Sequence, residues 1–321
     1  MIETSLTALA VPILVVLGCI FVIMKSAGFA ITAISDYARK TGLSEYLIGF
    51  IVVSVGTSLP ELSTAFFAST TGHGALILGD VIGANIVDVT VVLGLTAIIG
   101  RKIKIEGKTI SKTLLTIFGI AVLPIFLGAD GVLSRIDGIV MVIAFLYYIG
   151  NMLHVEGKFG HIKKDVAWKD IWKDMLVFLG CLMALLLAAR WMVISSVIIA
   201  EQIHVPIYLV GLIFISIGTT VPELTVEIKS VLHGMSGLAL GDLMGSVVVN
   251  TSLVLGFAAI LRPIELELAG FLTAALFMIV CISLAIVFLR KKSITWKHGV
   301  FLLSIYVIYV ITMIVQTIIT K

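Results

Sequence analysis

Glu61 and Glu223 each follow a proline inside a strongly apolar stretch. Their settings are Gly56-Thr57-Ser58-Leu59-Pro60-Glu61-Leu62 and Gly218-Thr219-Thr220-Val221-Pro222-Glu223-Leu224. Each phrase continues into a second one, Gly79-Asp80-Val81-Ile82-Gly83-Ala84-Asn85-Ile86-Val87-Asp88 and Gly241-Asp242-Leu243-Met244-Gly245-Ser246-Val247-Val248-Val249-Asn250, at one constant offset and without a gap. A carboxylate and a helix breaker are both costly in hydrocarbon, so finding the pair twice points to a function. Thr57, Ser58 and Glu61 fall within about one helical turn and can face one cavity. Pro60 has no backbone N–H, so carbonyls around Ser54 to Gly56 are freed as oxygen ligands. Thr219, Thr220, Glu223 and the carbonyls around Ser216 to Gly218 repeat the arrangement.

A second row of polar side chains follows each phrase. Asp80, Ala84 and Asp88 are spaced i, i+4, i+8 and share a helix face, and Gly83 lets a neighbouring backbone come close. The matching row is Asp242, Ser246 and Asn250, with Gly245 beside it. Asp80 and Asp242 read equally well as acids at the helix starts or as a cation funnel. All these ligand atoms are oxygens or an amide, with no His or Cys among them, and such sets suit hard cations: Ca²⁺, Na⁺ and, less well, Mg²⁺. Glu61, Glu223 and Asp88 supply a central charge that three Na⁺ would neutralise. One Ca²⁺ would not, unless one acid is protonated alongside it.

The elements that position these residues are membrane helices. Hydrophobic residues make up 60% of the chain, charged residues 13%, and mean hydropathy is +1.20; an ordinary soluble domain has about 25% charged residues. Apolar runs near the length of a bilayer recur from end to end, which predicts an all-α polytopic membrane protein with no room for a soluble domain. Ten spans are expected, at about 6–33, 46–70, 74–99, 110–128, 135–153, 174–200, 206–231, 236–260, 267–289 and 297–319. The second and seventh are broken near Gly56–Pro60 and Gly218–Pro222. The run from Leu6 to Ala33 is too long for a cleaved leader and reads as the first span. Cys19, Cys181 and Cys281 sit in apolar runs, without metal or disulfide spacing. Lys25 and Arg190, inside the first and sixth spans, read as snorkelling or facing a polar cavity. No basic, aromatic-interleaved surface suits nucleic acid.

Basic residues are segregated by side. Seventeen of the 22 lysines and arginines, including Arg101 to Lys112 and Arg290 to Lys297, fall on one side, whereas Arg135, Arg262 and Lys321 fall on the other. The crowded side is predicted to be cytoplasmic, with both termini outside. Five helices per copy is an odd number, so the second copy enters the membrane in the opposite sense. The expectation is two inverted-topology five-helix repeats, 1–154 (motif region 54–94) and 174–321 (motif region 216–256), joined by a cytoplasmic linker at 155–173. Binding sites in such architectures lie at the midplane, where broken helices meet.

At these motifs the chain resembles the cation/Ca²⁺ antiporter superfamily, and within it the prokaryotic sodium/calcium exchangers. The resemblance implies a diamond of cation sites between the second, third, seventh and eighth helices. Glu61 and Glu223 would be shared Ca²⁺ and Na⁺ ligands. Thr57, Ser58, Thr219, Thr220 and Ser246 would be Na⁺ ligands, with carbonyls from Ser54 and Ser216, and Asp88 and Asn250 would complete the remaining corner. The first and sixth helices would slide against the other eight. The chain departs from the family pattern at Ala84, often Ser there, and at Val247, often Asn; the family's Asn and Asp corner residues can also be the other way round.

The function expected is therefore Na⁺/Ca²⁺ antiport by alternating access. Ca²⁺ and Na⁺ would be bound as substrates with no cofactor, in a monomeric transport unit in the plasma membrane of a prokaryote. The alternative is a Ca²⁺/H⁺ antiporter in which Asp88 or a glutamate carries the proton; the Glu-Leu pairs, in place of a Glu-His signature, argue against that branch. A passive channel needs a continuous pore, which broken inverted helices do not suggest. No nucleophile–base pair or zinc motif suggests an enzyme.

Overall fold

The structure is a computed structural model that describes residues 2–40, 53–105, 108–156, 168–291 and 293–319. The expected beginning of the second span (46–52) and most of the linker (157–167) lie outside the described residues, as do Lys292 and Lys321. The elements run α1 (Ile2–Lys40), α2 in two pieces (Ser54–Thr57 and Leu59–Thr71), α3 (Gly74–Ile99), β1 (Lys102–Lys104), α4 (Lys108–Leu127), β2 (Val132–Leu133) and α5 (Arg135–Glu156). After the linker come α6 (Trp168–Gln202), α7 (Ile207–Leu232), α8 (Ser236–Leu261), β3 (Ile264–Glu265), α9 (Leu268–Leu289), β4 (Ser293–Thr295) and α10 (Trp296–Ile319). Among the described residues nine helices are long and apolar enough to span a membrane; the described part of the broken α2 is not one of the nine.

Two expectations need correction. The first helix extends over Ile2–Lys40, not 6–33, and the sixth over Trp168–Gln202, not 174–200. Hydropathy marks only the part of a helix that matches hydrocarbon. Backbone hydrogen bonding continues through polar but helix-compatible flanks such as Ser35 to Lys40.

Two short strand pairs fix the ends of the bundle. β1 pairs antiparallel with β4, with Ile103 opposite Ile294, and β2 pairs antiparallel with β3, with Leu133 opposite Ile264. These four facing side chains are buried. β1 and β3 follow the third helix of each half, and β2 and β4 precede the fifth. Exchanging the halves therefore turns one pair into the other, as a two-fold axis in the membrane plane requires. The β1–β4 end carries exposed Arg101, Lys102, Lys104, Arg290 and Lys291, and the β2–β3 end carries Arg262.

α3 and α8 form the centre: 78% and 83% of their apolar windows are buried, against 22% for α10. α1 and α6 pack along each other at the periphery and touch the broken parts of α2 and α7. They present Val11, Leu14, Leu17, Phe21 and Leu187 outward, where lipid replaces water as solvent. Lys25 is exposed, its Nζ 5.7 Å from the Phe21 ring, and Arg190 is exposed as well, so neither enters the bundle. Cys19 and Cys281 are buried and Cys181 half-buried, all as free thiols.

Candidate cation site

The breaks in α2 and α7 are local consequences of sequence. Pro60 and Pro222 each enter the first turn of a new helical piece, where a missing N–H costs nothing. Ser58 (φ −81°, ψ 7°) and Thr220 (φ −82°, ψ 0°) take the same bridge conformation at the junction. The carbonyls expected to be free are engaged: Ser54 O accepts from Ser58 N at 3.0 Å and lies 3.2 Å from Thr57 Oγ1. Ser216 O accepts from Thr220 N at 3.2 Å and from Thr220 Oγ1 at 2.8 Å. Each carbonyl has two lone pairs, so these bonds compete with a cation for the same oxygens.

α3 reaches the break in α7 because Gly79 and Gly83 have no side chain. A Cβ on Gly79 would overlap the Tyr208 carbonyl, and one on Gly83 the Leu212 carbonyl; from the other side, Gly211 faces the Leu76 carbonyl. Backbone thus packs on backbone. This register decides what Asp80 does. Thr219 Oγ1 lies 3.2 Å from Asp80 Oδ1, and its symmetry mate Thr57 Oγ1 lies 3.2 Å from Asp242 Oδ1. Each broken helix therefore leans on the acid of the opposite half. The two aspartates, read from sequence as either helix-start acids or a funnel, are threonine-bound members of the interior.

α3 and α8 share a second irregularity. Each relaxes into a wider π-helical segment, Asp88–Val92 and Val249–Val254, so that Asp88 and Asn250 sit at equivalent bulges. Such bulges turn side chains out of the helical register and occur often at functional sites. Thr90 Oγ1 donates to the Ile86 carbonyl, and Thr251 Oγ1 donates to Val247 O at 2.7 Å, satisfying carbonyls there. Asn85 Nδ2 donates to Thr251 Oγ1 at 2.8 Å, linking the halves. The repeat supplies no second copy of this link, since Val247 and Val89 stand at the equivalent positions.

Every cation ligand expected from the sequence lies inside the bundle: Ser54, Thr57, Ser58, Glu61, Asp88, Ser216, Thr219, Thr220, Glu223, Ser246 and Asn250 are all buried. Glu61, Asp80, Asp88 and Glu223 form one buried acidic cluster, with Thr219 beside Glu61. Both carboxylate oxygens of Glu61, Asp88 and Glu223 lack a hydrogen-bond partner among the described residues, as do Ser58 Oγ, Ser246 Oγ and both polar atoms of Asn250. Buried charge of one sign without compensation costs several kcal/mol per ion, so the cluster calls for cations. Among the described residues no three His, Cys, Asp or Glu side chains converge closely enough to hold a metal by themselves. A cation here would complete its shell from hydroxyls, amide and carbonyl oxygens, as the mixed donor set allows. Glu227 is a further buried acid, one turn beyond Glu223. Nothing in the sequence repeat marks it, because Ala65 stands at the equivalent position.

The crossed threonines give a paired prediction. Thr57→Val and Thr219→Val each remove a donor from one buried aspartate, a loss worth about 1–3 kcal/mol. Matching drops in thermal unfolding temperature of the purified variants are expected. A drop in only one variant would contradict the equivalence of the two halves.

Comparison with known proteins agrees with the architecture. The family model described as "Sodium/calcium exchanger protein" matches residues 11–153 and again 173–315. The chain is 24% identical to the sodium/calcium exchanger MaX1 of Methanosarcina acetivorans, over 94% of this chain and 97% of that one. It is 29% identical to the inner membrane protein YrbG of Escherichia coli, over 79% and 81%. Among solved structures it is similar to the sodium-calcium exchanger NCX_Mj soaked with Na⁺ and Sr²⁺, with a TM-score of 0.69, 24% identity and coverage of 94% of this chain and 98% of that one.

Proposed function

The chain belongs to the sodium/calcium exchanger protein family, and from that premise we propose that it is a secondary active antiporter exchanging Na⁺ for Ca²⁺ by alternating access. One observation carries the reading. Glu61 and Glu223 follow the two helix breaks of opposite halves, are fully enclosed, and have no hydrogen-bond partner among the described residues. Paired carboxylates of this kind suit a divalent cation, and the same oxygens with the surrounding hydroxyls suit several monovalent ones. Competition between the two loads for one cage is what couples their movements.

The roles follow from position. Glu61 and Glu223 serve both cations; Thr57, Ser58, Thr219, Thr220, Ser246 and the Ser54 and Ser216 carbonyls serve Na⁺; Asp88 and Asn250 close the remaining corner. Asp80 and Asp242 hold Thr219 and Thr57 in place. The Ser54 and Ser216 carbonyls would exchange their present hydrogen bonds for a cation when loaded. α1 and α6, paired with each other and resting on both breaks, form the element that slides. The basic β1–β4 end is assigned to the cytoplasm, which puts both termini outside in the plasma membrane of a prokaryotic cell. The repeats are 1–154 and 174–321 around the linker 155–173, and one chain is the transport unit.

The test is ⁴⁵Ca²⁺ uptake into proteoliposomes under an imposed outward Na⁺ gradient, and separately under a pH gradient. Uptake driven by Na⁺ is expected; uptake driven only by the pH gradient would sink the proposal. A second expectation concerns Ala84, which is buried beside this cage where Ser246 stands in the other half. Ala84→Ser adds a ligand hydroxyl and should lower half-saturating Na⁺ by roughly two- to tenfold. Unchanged Na⁺ dependence would mean that this hydroxyl is not limiting.

A further inference from the structure

Glu227 and Thr96 lie outside the cage just described, between it and the basic β1–β4 end. Glu227 is one turn beyond Glu223 on α7, and Thr96 is two turns beyond Asp88 on α3. The end of α7 that carries Glu227 packs against this part of α3 and against α8. Both residues are 1% exposed. Gly100, one turn after Thr96, sits directly against the Val231 side chain, one turn after Glu227, so Thr96 and Glu227 lie on one helix seam. Thr96 Oγ1 and Glu227 Oε1 both lack a hydrogen-bond partner within 3.5 Å among the described residues. Asp88 and Asp242 are the other charged groups that Glu227 senses, and both are acidic. A buried carboxylate with a hydroxyl and further acids around it, and no cationic side chain acting on it among the described residues, leaves a positive charge to be supplied from elsewhere.

The repeat shows that packing does not require this pair. Ala65 and Ala258 stand at the equivalent positions in the opposite half, both 0% exposed, where α2 and the end of α8 meet. Two alanines close that contact with carbon alone. At the basic end the same contact is built with an acid and a hydroxyl, so a polar function has been added on one side only. A single carboxylate with a hydroxyl matches one positive charge, whereas Ca²⁺ takes 6–8 oxygens and several carboxylates.

We propose that Glu227 and Thr96 form an additional binding station for one monovalent alkali cation, Na⁺ in the working transporter, on the path between the central cage and the basic end. The station rests on the Na⁺/Ca²⁺ reading and makes the transporter sided. A Na⁺ arriving from the basic end meets an anionic relay before the cage, and one arriving from the other end does not.

The experiment uses the full-length protein in proteoliposomes of known orientation and purified in detergent. Glu227→Gln is expected to raise half-saturating Na⁺ applied at the basic end about tenfold, with half-saturating Na⁺ at the opposite end and Ca²⁺/Ca²⁺ exchange unchanged. Saturation binding of ²²Na⁺ should fall by one ion per chain, and Thr96→Val, which removes one oxygen at nearly constant volume, should shift Na⁺ affinity in the same direction. Equal shifts at both ends, or unchanged ²²Na⁺ binding in both variants, would overturn the station. Absence of Na⁺-driven Ca²⁺ uptake in the unsubstituted protein would instead overturn the antiport reading, so the two failures are distinct. Should Glu227→Gln not fold, Thr96→Val alone decides by the same two readouts.

Discussion

Replacing Glu61 or Glu223 with Gln should reduce Na⁺-driven Ca²⁺ uptake by at least about 100-fold while leaving a folded protein. Each side chain is buried with both carboxylate oxygens unpartnered among the described residues. Removing one partner from a buried charge pair costs on the order of 3–5 kcal/mol, and every 1.4 kcal/mol is about tenfold in affinity. The two variants should fail alike, because each glutamate follows its proline at the same step of an equivalent break. Folding should survive, and even improve slightly in Na⁺-free buffer, since the substitution removes like-charge crowding around Glu61. The measurement is ⁴⁵Ca²⁺ uptake beside fluorescence-detected gel filtration. Near-normal exchange in both variants would remove the site assignment.

The opposite pattern is expected at Gly79 and Gly83. Their missing Cβ atoms are what bring α3 against α7, and the obstructing atoms are backbone carbonyls of Tyr208 and Leu212. A flexible side chain could move aside; a helix backbone cannot without displacing α7. Overpacking of this kind costs typically about 1–3 kcal/mol and sometimes more. Gly83→Ala should therefore lower the unfolding temperature and, by pushing Ser216 and Thr219 away from α3, also lower transport in whatever protein remains folded. Gly119 offers a control, since a Cβ there meets nothing within 4 Å. Equal stability of Gly83→Ala and Gly119→Ala would contradict the close packing described.

Much of the candidate site is legible in the sequence because its signals are strong in hydrocarbon. A proline and a carboxylate inside an apolar run stand out, and their repetition ties Glu61 to Glu223. The breaks at Ser58 and Thr220 followed from Pro60 and Pro222 and from nothing more distant. What stayed hidden depends on how helices lie against each other. The hydroxyl that Asp80 meets is on α7, 139 residues away, and the contact exists only at the register that Gly79 and Gly83 permit. The π-helical segments at Asp88 and Asn250 carry no turn residue or breaker to announce them. Glu227 is inconspicuous in the sequence for another reason. It has no counterpart in the repeat, and with Lys229 close by it resembles the polar end of a helix, although the fold encloses it completely. Hydropathy likewise understated α1 and α6, whose polar flanks continue as helix beyond the span.

Competition for one shared cage is the central claim, and calorimetric titration of Ca²⁺ into the purified protein tests it most directly. One Ca²⁺ per chain is expected to bind without Na⁺, its heat disappearing cooperatively as Na⁺ is raised and being absent in both Glu61→Gln and Glu223→Gln. Ca²⁺ binding that is indifferent to Na⁺, or that persists in both variants, would contradict it.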